Sequence, residues 1–252
     1  MNKTQTLVSV GNGPSLRAEY FDILKKSSVH TIGMNAAYRF YEEMDWWPTY
    51  FCCFDYALTE THRDAWSELV LNPDIPIEKY FFIDIVKKGS VKNNPALVFT
   101  EEVRNHPKFV GKPTNQTFIG YPEYGVEKKI SSTGANSVRV GAELGYKNVV
   151  LIGHDCSYRQ AEKFKEAKQV DGWKYKFEET PEGNPNYFWN SYQRKGDFFN
   201  KPGDQLPSWK NLKKCMTKYA PNVKIFNCSQ GTRITSWQLM DFKFVIGKIE
   251  GK

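Results

Sequence analysis

Hydrophobic residues along the first sixty positions follow two alternating patterns. TLVSV (residues 6–10), VHTIGMN (29–35) and TYFCCFDY (49–56) are short, nearly continuous apolar runs, the mark of strands buried on both faces. Between the first two, PSLRAEYFDILKK carries apolar residues at helical spacing, with Pro14 at its start, where a missing N–H costs nothing. The order strand–helix–strand–helix–strand predicts an α/β fold, a Rossmann-like, mainly parallel sheet flanked by helices.

Beyond Asn72 the pattern loosens. KYFFIDIV and ALVF read as further strands, and from Asn105 a segment rich in Pro, Gly, Asn and Tyr reads as loop or lid. ISSTGANSVRVGAELGYKNVVLIGHDCSY predicts a helix capped by Ser131, Ser132 and Thr133 and stopped at Gly145, then a buried strand. The polar, Tyr- and Trp-rich stretch from Arg159 to Pro207 predicts a lid or small helical insertion rather than sheet, within a single domain spanning residues 1–252. LPSWKNLKKCMTKYA restores a helix, NVKIFNCS a strand and GTRITSW a closing loop.

In such sheets ligands sit beyond the carboxyl ends of the strands, and four predicted strands end on polar groups. The first ends on Gly11-Asn12-Gly13-Pro14-Ser15, the second on Asn35, the third on Asp55 and a later one on His154-Asp155. A loop of glycines, an amide and a hydroxyl suits ribose, base or phosphate, with the next helix dipole favouring an anion; the plain alternative is a tight turn that caps a helix. The loop is not the six-residue dinucleotide fingerprint and lacks the lysine of a phosphate-binding P-loop. Ser132-Thr133-Gly134 offers a second anion cradle or a simple cap. No Asp-x-Asp occurs, which argues against a metal-chelating glycosyltransferase, and the four histidines lack ligand spacing. His154, beside Asp155, is either a chemical group or a structural histidine.

Composition changes this picture little. The net charge of +7 suits an anionic ligand or membrane surface, but the lysines are scattered and no nucleic-acid signature accompanies them. The aromatic share of 15% suits either a sugar or base site or an aromatic-rich core. Five cysteines without ligand spacing fit a reducing compartment. With no apolar run of signal or membrane-spanning length, the expected location is cytoplasmic, compatible with a seat at the inner membrane face and with self-association.

VGNGPSL, the strand ending in Asn35, the strand ending CFD, and ISSTGANSVRVGAELGYKNVVLIGHD together resemble the bacterial lipooligosaccharide sialyltransferases, over the first sixty residues and about Ile130 to Tyr158. The resemblance implies a single Rossmann-like domain of GT-A-variant type with a lid, a CMP-sialic acid donor and no metal. It implies that Asn12, Asn35 and Asp55 contact the nucleotide or the sugar, and that Ser132, Thr133 and Gly134 hold the cytidine or the donor carboxylate. Asp55 stands where that family carries an amide. The family's phosphate-stabilising tyrosines point to Tyr158, one or two places displaced, and Tyr187 and Tyr192 are further candidates. In NYFWNSYQ, Asn190 stands where the family has its general-base histidine, and an amide takes no proton at neutral pH. Another group (His154, Asp155 or Asp55) serves, or the acceptor differs, or activity is lost. The carboxyl third, with GNPNYF, KGDFF and KIFNCSQGTRI, resembles the domain shared by flagellin motility accessory factors and archaeal 6-hydroxymethylpterin diphosphokinases.

The expected function is therefore metal-independent, inverting transfer of an acidic sugar from a CMP-sugar to a glycan or lipid-linked glycan, without cofactor. The alternatives are Mg²⁺-dependent pyrophosphoryl transfer from ATP to a pterin alcohol, and a degenerate nucleotide-binding domain.

Overall fold

The computed structural model describes residues 5–83, 99–112, 130, 132–157, 165–172, 174–200 and 203–251. The predicted opening elements form as β1 (Thr6–Val10), α1 (Ala18–Lys26), β2 (His30–Met34), β3 (Tyr50–Cys53) and α2 (Tyr56–Leu71). A 3₁₀ turn, Asn35–Phe40, follows β2. β4 (Lys79–Ile83), a short α3 (Glu101–Asn105) and β5 (Phe109–Lys112) come next. β5 lies where the composition predicts loop, and α3 has no counterpart in the sequence pattern. Of the predicted ALVF strand only Phe99 is described; Ser131 and Tyr158 lie outside the described residues. α4 (Thr133–Glu143), β6 (Asn148–Ile152), α5 (Leu206–Tyr219), β10 (Lys224–Asn227) and α6 (Phe242–Glu250) complete the main layer, with β7 (Ala167–Asp171), β8 (Lys174–Phe177) and β9 (Phe198–Asn200) between β6 and α5.

The fold is α/β. Seven strands in the order β10-β6-β1-β2-β3-β4-β5, paired in parallel, form a central sheet with helices on both faces. Val8, Val10, Phe51, Cys53, Phe82 and Val150 share one core with α1, α2 and α6. Leu7, Ile32, Cys52, Phe81, Val149 and Leu151 turn to the opposite face, which α4 and α5 cover. The side-chain period of two thus sends the adjacent Cys52 and Cys53 to opposite cores, where burial pushes both thiols well up. The aromatic residues chiefly build these cores, as the stack of Trp66 on Phe82 (4.9 Å, 13°) illustrates.

Among the described residues, the stretch after β6 forms sheet rather than a helical insertion. β7, β8 and β9 pair antiparallel into a second sheet, with Phe177 stacked on Phe199 at 4.8 Å. Alternation in AKQVD and KYKF is short and interrupted by lysines, so the strand signal is weak in the sequence. A bidentate ion pair ties this sheet to the main layer: Arg39, in the 3₁₀ turn after β2, donates to both carboxylate oxygens of Asp197 at 2.6 and 2.8 Å. The same guanidinium donates to the Tyr192 carbonyl at 2.9 Å. Both side chains are nearly buried, 12% and 7% exposed, so removing one partner strands the other charge. Asp197→Ala is expected to cost about 3–5 kcal/mol in denaturant unfolding. Amide exchange should accelerate across residues 184–200 and stay slow in β1 and β6.

Candidate functional site

The central strand β1 has β2 on one side and β6 on the other, so the chain reverses its winding direction between β1 and β6. A crevice opens at the carboxyl ends of strands at such a switch point. Here the two strand ends meet backbone to backbone: Gly11 N–H donates to the Ile152 carbonyl and Gly13 N–H to the Gly153 carbonyl, both at 2.8 Å. A Cβ on Gly11 would fall 2.3 Å from the Gly153 oxygen, and one on Gly13 would fall 1.8 Å from Oδ2 of Asp155. Gly153 itself has φ +68°, a conformation that other residues rarely adopt.

This geometry answers what the glycine loop does. Asp155 Oδ2 accepts from the Ser15 hydroxyl at 2.9 Å and from its N–H at 3.3 Å. α1 begins at Ala18, not at Pro14. The amides of Gly11, Gly13 and Ser15 are engaged by the protein's own oxygens, with Asp155 supplying the anion. The loop forms a seam between β1 and β6.

His154 lies under this seam. Its Nε2 is 3.2 Å from the Ser9 carbonyl and 2.9 Å from Ser9 Oγ, which fixes Nε2 as the protonated nitrogen because a carbonyl only accepts. Its Nδ1 side faces Gly11 and Gly134, where added Cβ atoms would come within 2.9 and 2.7 Å. Trp209 of α5 packs edge-on against the ring at 5.2 Å. Burial lowers its pKa to about 4, so at neutral pH it is an uncharged wedge between two glycines.

Asn12 and Asn35 stand at the ends of β1 and β2. The Asn12 side-chain NH₂ donates to the Met34 carbonyl at 3.1 Å and to the Tyr192 hydroxyl at 3.0 Å. Its Oδ1 is buried with no partner among the described residues, as is Oδ1 of Asn35. Asn35 has φ +61°, a region that asparagine tolerates better than most side chains. Tyr192 also accepts from Ala36 N–H at 3.3 Å and stacks on Tyr187 at 3.9 Å.

Across the cleft α4 begins. Ser132 caps it, its hydroxyl accepting from Ala135 N–H at 3.2 Å, and Thr133 Oγ1 accepts from Phe54 N–H at 3.2 Å. The N–H groups of Thr133 and Gly134 precede the first intrahelical bond, from Asn136 to Ser132, and are donors of the unsatisfied first turn. Asp55 is the cap of α2: its Oδ1 accepts from Ala57 and Leu58 N–H and from the Asn200 amide. Burial raises its carboxyl pKa while those bonds pull it back.

Together these groups line a cleft of about 270 Å³. It gathers Gly11, Asn12, Gly13, Asn35, Asp55, Ser132, Thr133, Gly134, His154, Asp155, Tyr187 and Tyr192. Pro14 and Ser15 are not on its wall; Ser15 sits behind it through Asp155. Asn190, at the position of the resembled family's base, is exposed and off the cleft. Trp209, Gln193, Asn200 and Asp204 line it without having been singled out in the sequence. The signal for Gln193, Asn200 and Asp204 is their place in a polar, aromatic-rich stretch, and Trp209 belongs to the predicted helix that follows it. No lysine or arginine lines the cleft among the described residues.

Two buried histidines make the fold acid-sensitive. His62, whose Nδ1 is shared with the Tyr38 hydroxyl at 3.1 Å, is held by burial at about 3, and His154 at about 4. Both folded values lie below the unfolded value of about 6.5, so their contribution is complete above that pH and is lost as pH falls through the folded values. Unfolding free energy measured in denaturant should therefore drop between pH 6.5 and 4. His154→Gln, which retains an N–H for Ser9, should remove roughly 3 kcal/mol of that drop.

No protein-family model and no curated protein sequence matches the chain. Among solved structures, the chain is similar to the MAf glycosyltransferase from Magnetospirillum magneticum AMB-1, with 16% sequence identity and a TM-score of 0.47. The match covers 99% of this chain and 37% of that one, so the chain spans well under half of that protein's length.

Proposed function

We propose that the chain is a sialyltransferase-like glycosyltransferase that moves an acidic sugar from a CMP-sugar to a glycan or lipid-linked glycan, without metal and with inversion. The observation that carries this reading is the polarity of the cleft. The amide oxygens of Asn12 and Asn35 are buried without a partner among the described residues, on residues that line the cleft. Thr133 and Gly134, whose N–H groups precede the first intrahelical bond of α4, line it too. Acceptors suit the hydroxyls and amino group of a cytidine; helix N–H donors suit a phosphate or carboxylate. The sequence resemblance supports the same donor.

In this reading Thr133 and Gly134 N–H take the negative charge that grows on the departing CMP phosphate. Asp155 is the base that removes the proton from the acceptor hydroxyl as its oxygen attacks the anomeric carbon. Its Oδ2 is anchored on Ser15, its Oδ1 takes no bond from another described residue, and burial raises its pKa above the ordinary aspartate value, which brings it nearer to the working pH. His154, neutral and tied to Ser9, holds the glycine seam and carries no proton. Asp55 and Ser132 position helix starts. Tyr187 is a candidate hydroxyl toward the phosphate.

Calorimetric titration should show CMP binding that EDTA leaves unchanged; a preference for ATP with Mg²⁺ would instead favour pyrophosphoryl transfer. Asp155→Asn should keep CMP affinity within a few-fold while lowering CMP-sugar turnover by about 10²–10⁴-fold. The wild-type rate should fall on the acid side, where Asp155 takes up its proton, at a pH above the ordinary aspartate value of about 3.9. An unaltered acid limb in a slow Asp155→Asn enzyme would assign the base elsewhere.

A further inference from the structure

The most specific polar arrangement in the cleft is the one that orients Asn12. An amide side chain can present either its oxygen or its NH₂, and the surroundings decide which. Here the Met34 carbonyl, which only accepts, lies 3.1 Å from Nδ2. The second Nδ2 proton goes to the Tyr192 hydroxyl at 3.0 Å, whose oxygen also receives Ala36 N–H. Both amide protons are thus consumed on the protein side, and Oδ1 is left buried without a partner. Asn12 is only 9% exposed, so that oxygen has no bulk water to fall back on.

The clamp comes from the connection between β8 and β9 of the second sheet. Phe188 N–H donates to the Asn12 backbone carbonyl at 2.9 Å, and the Tyr192 carbonyl is held by Arg39, the same guanidinium that grips Asp197. The seat of this segment on the main layer and the orientation of Asn12 are therefore coupled.

Resting on the functional reading above, the geometry points to Tyr192 as a positioning residue for specificity: by engaging the Asn12 amide NH₂ it leaves Oδ1 as the unpaired acceptor of that side chain at the cleft wall, so that the site selects a ligand that places an N–H or O–H donor there. In a cytidine nucleotide that donor is either the exocyclic amino group of the base or a ribose hydroxyl. Uridine replaces the amino group by a carbonyl oxygen, which would set two acceptors against each other. The two sources are separable.

The test uses the full chain and Tyr192→Phe, which keeps the ring stacked on Tyr187 and removes only the hydroxyl. CMP, UMP and 2′-deoxy-CMP are titrated against both proteins by calorimetry. Wild type should prefer CMP over UMP by about tenfold if the base amine is read, or CMP over 2′-deoxy-CMP by about tenfold if the 2′-hydroxyl is read. In Tyr192→Phe, where only the Met34 carbonyl still holds Nδ2, that ratio should fall several-fold, whereas a merely structural role would weaken all three ligands alike and leave the ratios standing. Unchanged ratios, or absence of both preferences in wild type, overturn the proposal.

The clamp has a second readout that needs no ligand. By NMR, the side-chain amide protons of Asn12 should be protected from exchange in wild type and lose protection in Tyr192→Phe. Equal protection in the two proteins overturns the clamp. Wild type that binds none of the three nucleotides overturns the functional reading instead, and the exchange result then decides the clamp alone.

Discussion

The site depends on a contact between two backbones. β1 and β6 finish side by side, and the loops that follow them touch through Gly11, Gly13 and Gly153 with no side chain between. Because nothing separates them, the strand ends can place Asn12, His154 and Asp155 around one small space. Asp155 completes the seam from the other side by binding Ser15. A methyl group on Gly11 or Gly13 would have to displace a carbonyl or a carboxylate, and interiors packed to crystal density give little. The cleft is thus a property of main-chain proximity first and of side-chain chemistry second.

Several groups that look chemical in the sequence turn out to be employed by the fold. Ser132 and Asp55 cap helices, and Ser15 answers a buried carboxylate. His154 fills the gap beneath two glycines with its proton fixed toward Ser9. Among the groups at the cleft that remain unengaged are the amide oxygens of Asn12 and Asn35 and the N–H groups of Thr133 and Gly134. A buried acceptor without a partner is costly.

The sheet is legible because β1, β2, β3 and β6 are almost wholly buried and so stand out as apolar runs, while the edge strand β10 is marked by the turn residues beside it. The placement of Asn12, Asn35, Asp55 and His154 around one cleft followed from the rule that strand ends converge. Three things were hidden. The start of α1 at Ala18 is not marked in the sequence, because Pro14 suits a turn as well as a first helical residue. The second sheet escaped because lysines occupy its alternating positions and its apolar face is only Phe177, Phe199 and their neighbours. The Arg39–Asp197 pair spans 158 residues of chain, and no local pattern announces a contact at that separation.

The place of β1 in the sheet also bears on how the molecule assembles. Its partner β2 follows within twenty residues of its end, but its other partner β6 pairs Thr6 with Asn148. During synthesis this fully buried strand has one hydrogen-bonding edge open until the segment around Asn148 has emerged. Such an edge is a template for pairing with other chains, and long-range parallel pairing is slow to form. The strand that founds the ligand cleft is therefore also the point at which a nascent chain is most exposed to aggregation, and the steps that join β6 to it close that interval.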